Sequence, residues 1–246
     1  MLIGIMGAMP EEVSLFAESI KDAEKITAHQ KVFYKGRVGN HEVICVFSGW
    51  GKVAAASTAT LLLSKFNADC ILLAGMCGGA DQTVNVGDIV VADELIQYDL
   101  DASPVFPKYQ IPLYGLSRIK ADPHLAKKAA FSCETLLKDN NTRKNLQKYD
   151  IDKPKVVCGL VATGDCFISD AGKLQSLKND IPDALCVEME GAAVAQVCYE
   201  NDTPFAVIRV VSDKSDESAT EKFKLFISQI AGHYICQIIN CFLEHL

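Results

Sequence analysis

The sequence predicts a single α/β domain over residues 1–246, built on a largely parallel β-sheet covered by helices. Three observations predict it. The chain is 49 % apolar and 22 % charged with the apolar residues spread evenly, which suits one sizeable core. Its short β-rich runs are apolar on successive residues rather than alternating, as strands covered on both faces are. Between them lie helical patterns, so strand and helix alternate along the chain.

In order, the strands fall at "LIGIM" (2–6), "EVICVF" (42–47), "CILLAG" (70–75), "DIVVAD" (88–93), "VVCGLVA" (156–162), "ALCVEM" (184–189) and "FAVIRVVSD" (205–213). Helices are expected over about 10–19, 52–66, 122–138, 170–179, 189–201 and 219–244. The last is the clearest, because Phe223, Phe226, Ile227, Ile230, Tyr234, Ile235, Ile238, Ile239, Phe242 and Leu243 recur every three or four residues. Residues 98–116, with three prolines and several aromatics, read as a loop able to cover a pocket. Residues 138–155 are polar and read as a solvated connection.

Composition excludes several classes. A net charge of −7 and the lack of basic runs argue against a nucleic-acid partner. The apolar N-terminus lacks a basic region and is stopped by Pro10, Glu11 and Glu12, so it reads as a buried strand rather than a signal peptide. No apolar run reaches the roughly 18 residues that a membrane span requires, and a cytoplasmic location is expected. The ten cysteines are scattered, mostly within apolar segments, as reduced core thiols are. None of the five histidines sits at a metal-ligand spacing, so neither a metal nor another cofactor is expected.

In open α/β sheets ligands gather at the carboxyl ends of strands. Four junctions there carry polar residues: "GAMPEE", "AGMCGGA", "EME" and "RVVSD". Gly75, Gly78 and Gly79 let backbone approach a ligand, or simply make a tight turn. "SGWGKV" is no P-loop, since Val46 and Val53 stand where glycine and a hydroxyl are required. Glu12 opens a helix, where it serves either its exposed N–H groups or chemistry. Asp213 is either an N-cap or a functional acid. Glu188 and Glu190 precede a small-residue helix, and a carboxylate packed there needs either a cation such as Arg209 or a ligand with two adjacent hydroxyls. Carboxylates at strand ends without a metal motif or nucleophilic pair point to acid/base chemistry on a small ligand. Glycosyl-bond cleavage is one such chemistry.

At these residues the sequence resembles the 5′-methylthioadenosine/S-adenosylhomocysteine nucleosidases, within the purine nucleoside phosphorylase-like superfamily. The resemblance runs in order through "IGIMGAMPEEV", "SGWGKVAAASTATLLL", "GMCGGA" followed by "VGDIVVAD", "TGDCFI", "VEMEGAAVA" and "IRVVSD". It implies a twisted mixed sheet flanked by helices, an adenine nucleoside substrate, and a homodimer whose subunits share each active site.

By position, the resemblance makes Glu12 the base that activates water and Asp213 the acid that protonates adenine N7, with Ser212 beside it. It makes Glu190 and the Met189 backbone the ribose contacts, with Glu188 in support. Phe167 and Ile168 match the adenine contacts, Arg209 and Gly78 match active-site positions, and Phe223 matches an aromatic cover. Met9 falls among the substrate-binding positions, and Phe106 and Pro112 among those that reach a partner's 5′ pocket. The pattern is broken at two places: Met76 and Cys77 replace a small hydroxyl-bearing turn, and Trp50 replaces an aliphatic residue near the 5′ substituent. The alternatives are a phosphorylase of the same fold, which needs cations for phosphate, and a nucleoside-binding protein without catalysis.

Overall fold

The computed structural model describes residues 1–246. Strand β1 (Leu2–Gly7) leads through a Met9–Pro10 turn into α1 (Pro10–Ser19). A hairpin of β2 (Lys21–Ala28) and β3 (Lys31–Val38) follows, then β4 (His41–Phe47), α2 (Lys52–Ser64), β5 (Cys70–Gly79), β6 (Ile89–Gln97) and the short β7 (Arg118–Lys120). The second half holds α3 (Pro123–Leu136), α4 (Asn140–Gln147), β8 (Val156–Thr163), α5 (Ala171–Asp180), β9 (Ala184–Glu188), α6 (Gly191–Glu200) and β10 (Phe205–Asp213). Helix α7 (Ala219–Phe226), a π-helical turn (Ile227–Ala231) and α8 (Gly232–His245) complete the chain.

All the strands join one sheet. One wing runs β2-β3-β4-β1-β5. The start of β5 lies between β1 and β10, and its end pairs with both β10 and β9. Because β10 continues through β6 and β8 to β9, these five strands close on themselves. Pairing is parallel for β1–β4, β1–β5, β5–β10, β6–β8 and β8–β9. It is antiparallel for β2–β3, β3–β4, β5–β9, β6–β10 and β6–β7. The sheet is therefore mixed, as the resemblance implies, rather than largely parallel as the apolar runs alone suggest.

Register does the positioning. Gly75 pairs with Arg209 and Gly78 with Asp213 across β5 and β10, while Val187 faces Gly78 from β9. Every residue of β10 is buried, Arg209, Ser212 and Asp213 included. Closing the strands thus brings the ends of β5, β9 and β10 to one place, beside the β1–α1 turn.

The core lies against both faces of the central strands, with Ile3, Ile5, Leu72, Val91, Val207 and Phe242 inaccessible or nearly so. A smaller cluster, including Ile96, Leu160, Ile168, Leu177 and Ile181, seats α5. The segment Ala219–His245 is the one helix long and apolar enough to cross a bilayer, but half of it is buried and it packs on α1 and α3. Its apolar stripe is core. Cys158 and Cys166 depart from the expected buried thiols: both are exposed.

Candidate active site

A cleft lined by 18 residues opens at the junction of β1, β5, β9 and β10. Of the residues singled out in the sequence, Met9, Glu12, Trp50, Met76, Gly78, Phe167, Ile168, Glu188, Met189, Glu190, Ser212, Asp213 and Phe223 all line it. Ala8, Cys77, Cys166, Val187 and Ser215 also line it without having been singled out as ligand contacts.

Glu12 sits in the first turn of α1 behind Pro10, and its carboxylate turns back toward the sheet. Its Oε2 accepts the backbone N–H groups of Ala8 at 2.5 Å and Met9 at 3.0 Å, and its Oε1 accepts that of Met76 at 2.9 Å. The helix-entry role open to it in the sequence is therefore present together with exposure to the cleft. Burial pushes its pKa up, against the Arg209 cation and these three N–H groups.

The two glutamates after β9 have separate jobs. Glu188 accepts the N–H groups of Glu190 at 3.0 Å and Gly191 at 2.8 Å, together with Thr163 Oγ1 and Arg209 Nη2. Thr163 Oγ1 in turn accepts the N–H of Ala192 at 2.8 Å. Glu188 and Thr163 thus satisfy the start of α6, a duty that would otherwise fall to the residue at its N-cap. That residue is Glu190, whose side chain makes no cap hydrogen bond. Its Oε1 accepts the Gly51 N–H at 2.9 Å and its Oε2 lies 3.3 Å from Arg209 Nη2, which leaves lone pairs for a ligand. Glu188, expected among the substrate-binding residues, lines the cleft while its carboxylate is also taken up by these protein donors. Burial moves the pKa of Glu190 up to about 7, with Arg209 opposing and Glu188 adding to the rise.

Arg209 is likewise held by protein partners, Glu188 and Glu190. Its side chain is fully buried and lies behind the carboxylates rather than on the cleft wall. Burial opposes its charge, yet Glu188, Glu190 and Glu12 hold it above its ordinary range. Its Nη1 has no protein partner. Gly75 is needed here, because a Cβ at that position would collide with both Arg209 Nη1 and Glu12 Oε1.

Asp213 ends β10. It does not cap the next helix, since α7 begins after Ser218. Its Oδ1 accepts the Ser215 N–H at 2.9 Å, and Ser212 Oγ lies 2.8 Å from its Oδ2 and 3.2 Å from the Cys77 carbonyl. Burial raises its pKa, against the bonds from Ser215 and Ser212. Three aromatic rings roof the cleft. Phe223 packs edge-on to Trp50 at 6.1 Å and against Phe167 at 5.5 Å. Trp50 itself is 53 % exposed.

The sequence profile of the phosphorylase superfamily matches residues 2–244. The 5′-methylthioadenosine/S-adenosylhomocysteine nucleosidase of Staphylococcus carnosus is 36 % identical over 231 residues, 94 % of each chain. That of Bacillus cereus strain G9842 is 36 % identical over 235 residues, covering 95 % of this chain and 94 % of its own. The chain belongs to this nucleosidase family. Among solved structures, the Neisseria meningitidis nucleosidase in complex with methylthio-immucillin-A superposes with a TM-score of 0.89 at 27 % identity, covering 100 % of this chain and 99 % of its own. The Streptococcus pyogenes S-adenosylhomocysteine nucleosidase in complex with 5-methylthiotubericidin gives 0.86 at 35 % identity, covering 100 % and 97 %.

Within this nucleosidase fold, Phe106 and Pro112 lie on the 98–116 loop and outside the chain's own cleft. The loop has no helix or strand, only a bridge between Ile111 and Leu116. Thr163 and Ser215 are the polar residues that sequence reasoning missed. A signal for Thr163 existed in "TGDCFI", where it ends a strand, and for Ser215 in its place two residues after Asp213.

Proposed function

We propose that this cleft hydrolyses the N-glycosidic bond of 5′-methylthioadenosine and S-adenosylhomocysteine, and of 5′-deoxyadenosine by the same steps, releasing adenine and the 5-substituted ribose. One observation carries the reading: Glu12, Glu190 and Asp213 converge on one cleft, each held by different donors, and no lysine, arginine or histidine lines it. A phosphorylase would need cationic or equivalent donors on that wall for its phosphate, so water is the nucleophile. Relatives crystallised with adenosine-like inhibitors agree with an adenine nucleoside as substrate.

In this mechanism the ribose diol hydrogen-bonds to the free lone pairs of Glu190, with the Met189 backbone beside it. Phe167 and Phe223 cover the base, Ile168 meets it edge-on, and Met9 and Trp50 border the 5′ substituent. As the glycosidic bond stretches, the ribose becomes oxocarbenium-like and negative charge gathers on adenine. Asp213 stabilises that charge by giving its proton to N7, which requires the raised pKa that burial gives it. Glu12 takes a proton from the attacking water, while Arg209, buried behind the carboxylates, offsets the mutual repulsion of Glu12, Glu188 and Glu190. The acid and the base each contribute roughly 10²- to 10⁴-fold. No cofactor or metal enters these steps. A cytoplasmic homodimer, with Phe106 and Pro112 reaching into the partner's 5′ pocket, completes the proposal.

The test is adenine release by the purified protein from 5′-methylthioadenosine, S-adenosylhomocysteine and 5′-deoxyadenosine. Release from the first two is expected; release from none would refute the assignment.

A further inference from the structure

Ser215 has no part in the steps above, yet its setting is unusual. Its side chain is fully buried, it lines the cleft, and its Oγ has no hydrogen-bond partner. Its backbone φ of 55° is left-handed, a conformation unfavourable for a residue with a side chain. The Oγ occupies the room that Gly78 leaves by having no Cβ, and that room also borders Asp213 Oδ1. The hydroxyl is thereby directed to the part of the cleft where Asp213 works. Meanwhile the Ser215 N–H holds Asp213 Oδ1 at 2.9 Å.

An unpaired buried hydroxyl and a strained backbone both weigh against the folded state. Neither is needed to hold Asp213, because any residue other than proline supplies the same N–H. Both costs are offset when a ligand brings a hydrogen-bond partner to the hydroxyl. A serine hydroxyl donates and accepts, so it suits an edge that carries both a ring nitrogen and an amino group. Adenine presents such an edge beside the N7 that Asp213 protonates.

We propose that Ser215 is a base-recognition residue, whose hydroxyl hydrogen-bonds the edge of the adenine ring that faces Asp213. The inference rests on reading the cleft as an adenine nucleoside site. Asp213 supplies the proton, while Ser215 adds binding that is equal in the substrate and the transition state and persists in the adenine product. Interactions of that kind change KM and leave kcat alone.

The experiment compares wild type with Ser215→Ala and Ser215→Gly. Both variants keep the N–H to Asp213, and glycine also suits the left-handed backbone. The measurements are adenine affinity by calorimetry, kcat and KM for 5′-methylthioadenosine, and thermal midpoint. The expected result is adenine affinity and KM both poorer by roughly 3- to 10-fold, the value of one hydrogen bond. kcat should stay within about twofold, with a thermal midpoint equal to or above wild type. Wild-type adenine affinity in both variants would overturn the inference. So would a fall in kcat with adenine binding unchanged, since Ser215 would then act through Asp213. If the wild type itself neither binds adenine nor cleaves the nucleoside, this inference and the proposed function fail together; if the wild type does both and the variants match it, only this inference fails.

Discussion

Glu188 and Glu190 stand one residue apart and end with different electrostatic fates, because the start of α6 takes the first and leaves the second free. The difference is measurable. Above about pH 7 Glu190 is ionised and, in the proposed mechanism, accepts the ribose hydroxyls, whereas below it the added proton removes acceptor capacity. Nucleoside affinity should therefore fall as pH drops through about 7, and Glu190→Gln should bind weakly at every pH and lose that dependence; an unchanged fall in affinity would contradict the assignment. In the proposed mechanism the reactive species at Asp213 is its proton. Asp213→Asn should lower kcat by roughly 10²-fold or more while an adenosine-like inhibitor still binds, and undiminished turnover would remove it as the acid. The sequence shows these acids plainly, since a carboxylate beside glycine and alanine is conspicuous. It does not show which of two adjacent acids the helix will use, because that depends on Thr163 and Arg209 arriving from other strands.

Elements built on continuous apolar runs match the expected strands closely, while those with little apolar signal were not legible. Strands β2 and β3 form a hairpin whose outer strand carries Lys21, Asp22, Glu24 and Lys25, charges that protect a sheet edge. Its turn uses His29 and Gln30, both left-handed, in place of the usual Asn-Gly or Asp-Gly signal. Helix α4 fell within the expected solvated connection because only Thr142 and Leu146 are buried, although Asp139 caps it by accepting the Thr142 N–H at 2.8 Å. The final helix is interrupted by a π-helical turn, Ile227–Ala231, which a regular apolar repeat cannot reveal. At this scale the junction of β9 and α6 is the vulnerable one. Glu188→Ala removes a partner from buried Arg209 and two acceptors from the start of α6, and should cost about 3–5 kcal/mol of stability in denaturant titration. A loss below about 1 kcal/mol, typical of an exposed pair, would show that the helix start does not depend on it.

Across the whole molecule, Glu12, Glu190 and Asp213 all hold protons more tightly when folded, because burial raises each pKa. Over the interval between the ordinary and raised values, for Glu190 from 4.5 to about 7, the unfolded chain has lost protons that the folded one keeps. Their contribution to stability therefore declines as pH rises through that interval. Melting followed across it should show less of this decline in Glu190→Gln than in wild type, and identical slopes would argue against a raised pKa. Closing β5, β10, β6, β8 and β9 on themselves is what concentrates this acidity, and the single buried cation, Arg209, offsets part of it from behind the cleft. The cleft wall supplied by this chain carries no cation, in keeping with the proposal that water rather than phosphate is the nucleophile. The direct measurement is turnover of 5′-methylthioadenosine in phosphate-free buffer, with the sugar product identified. The account predicts adenine and free 5-methylthioribose at a rate unaffected by added phosphate; a rate that requires phosphate and yields the sugar 1-phosphate would contradict it.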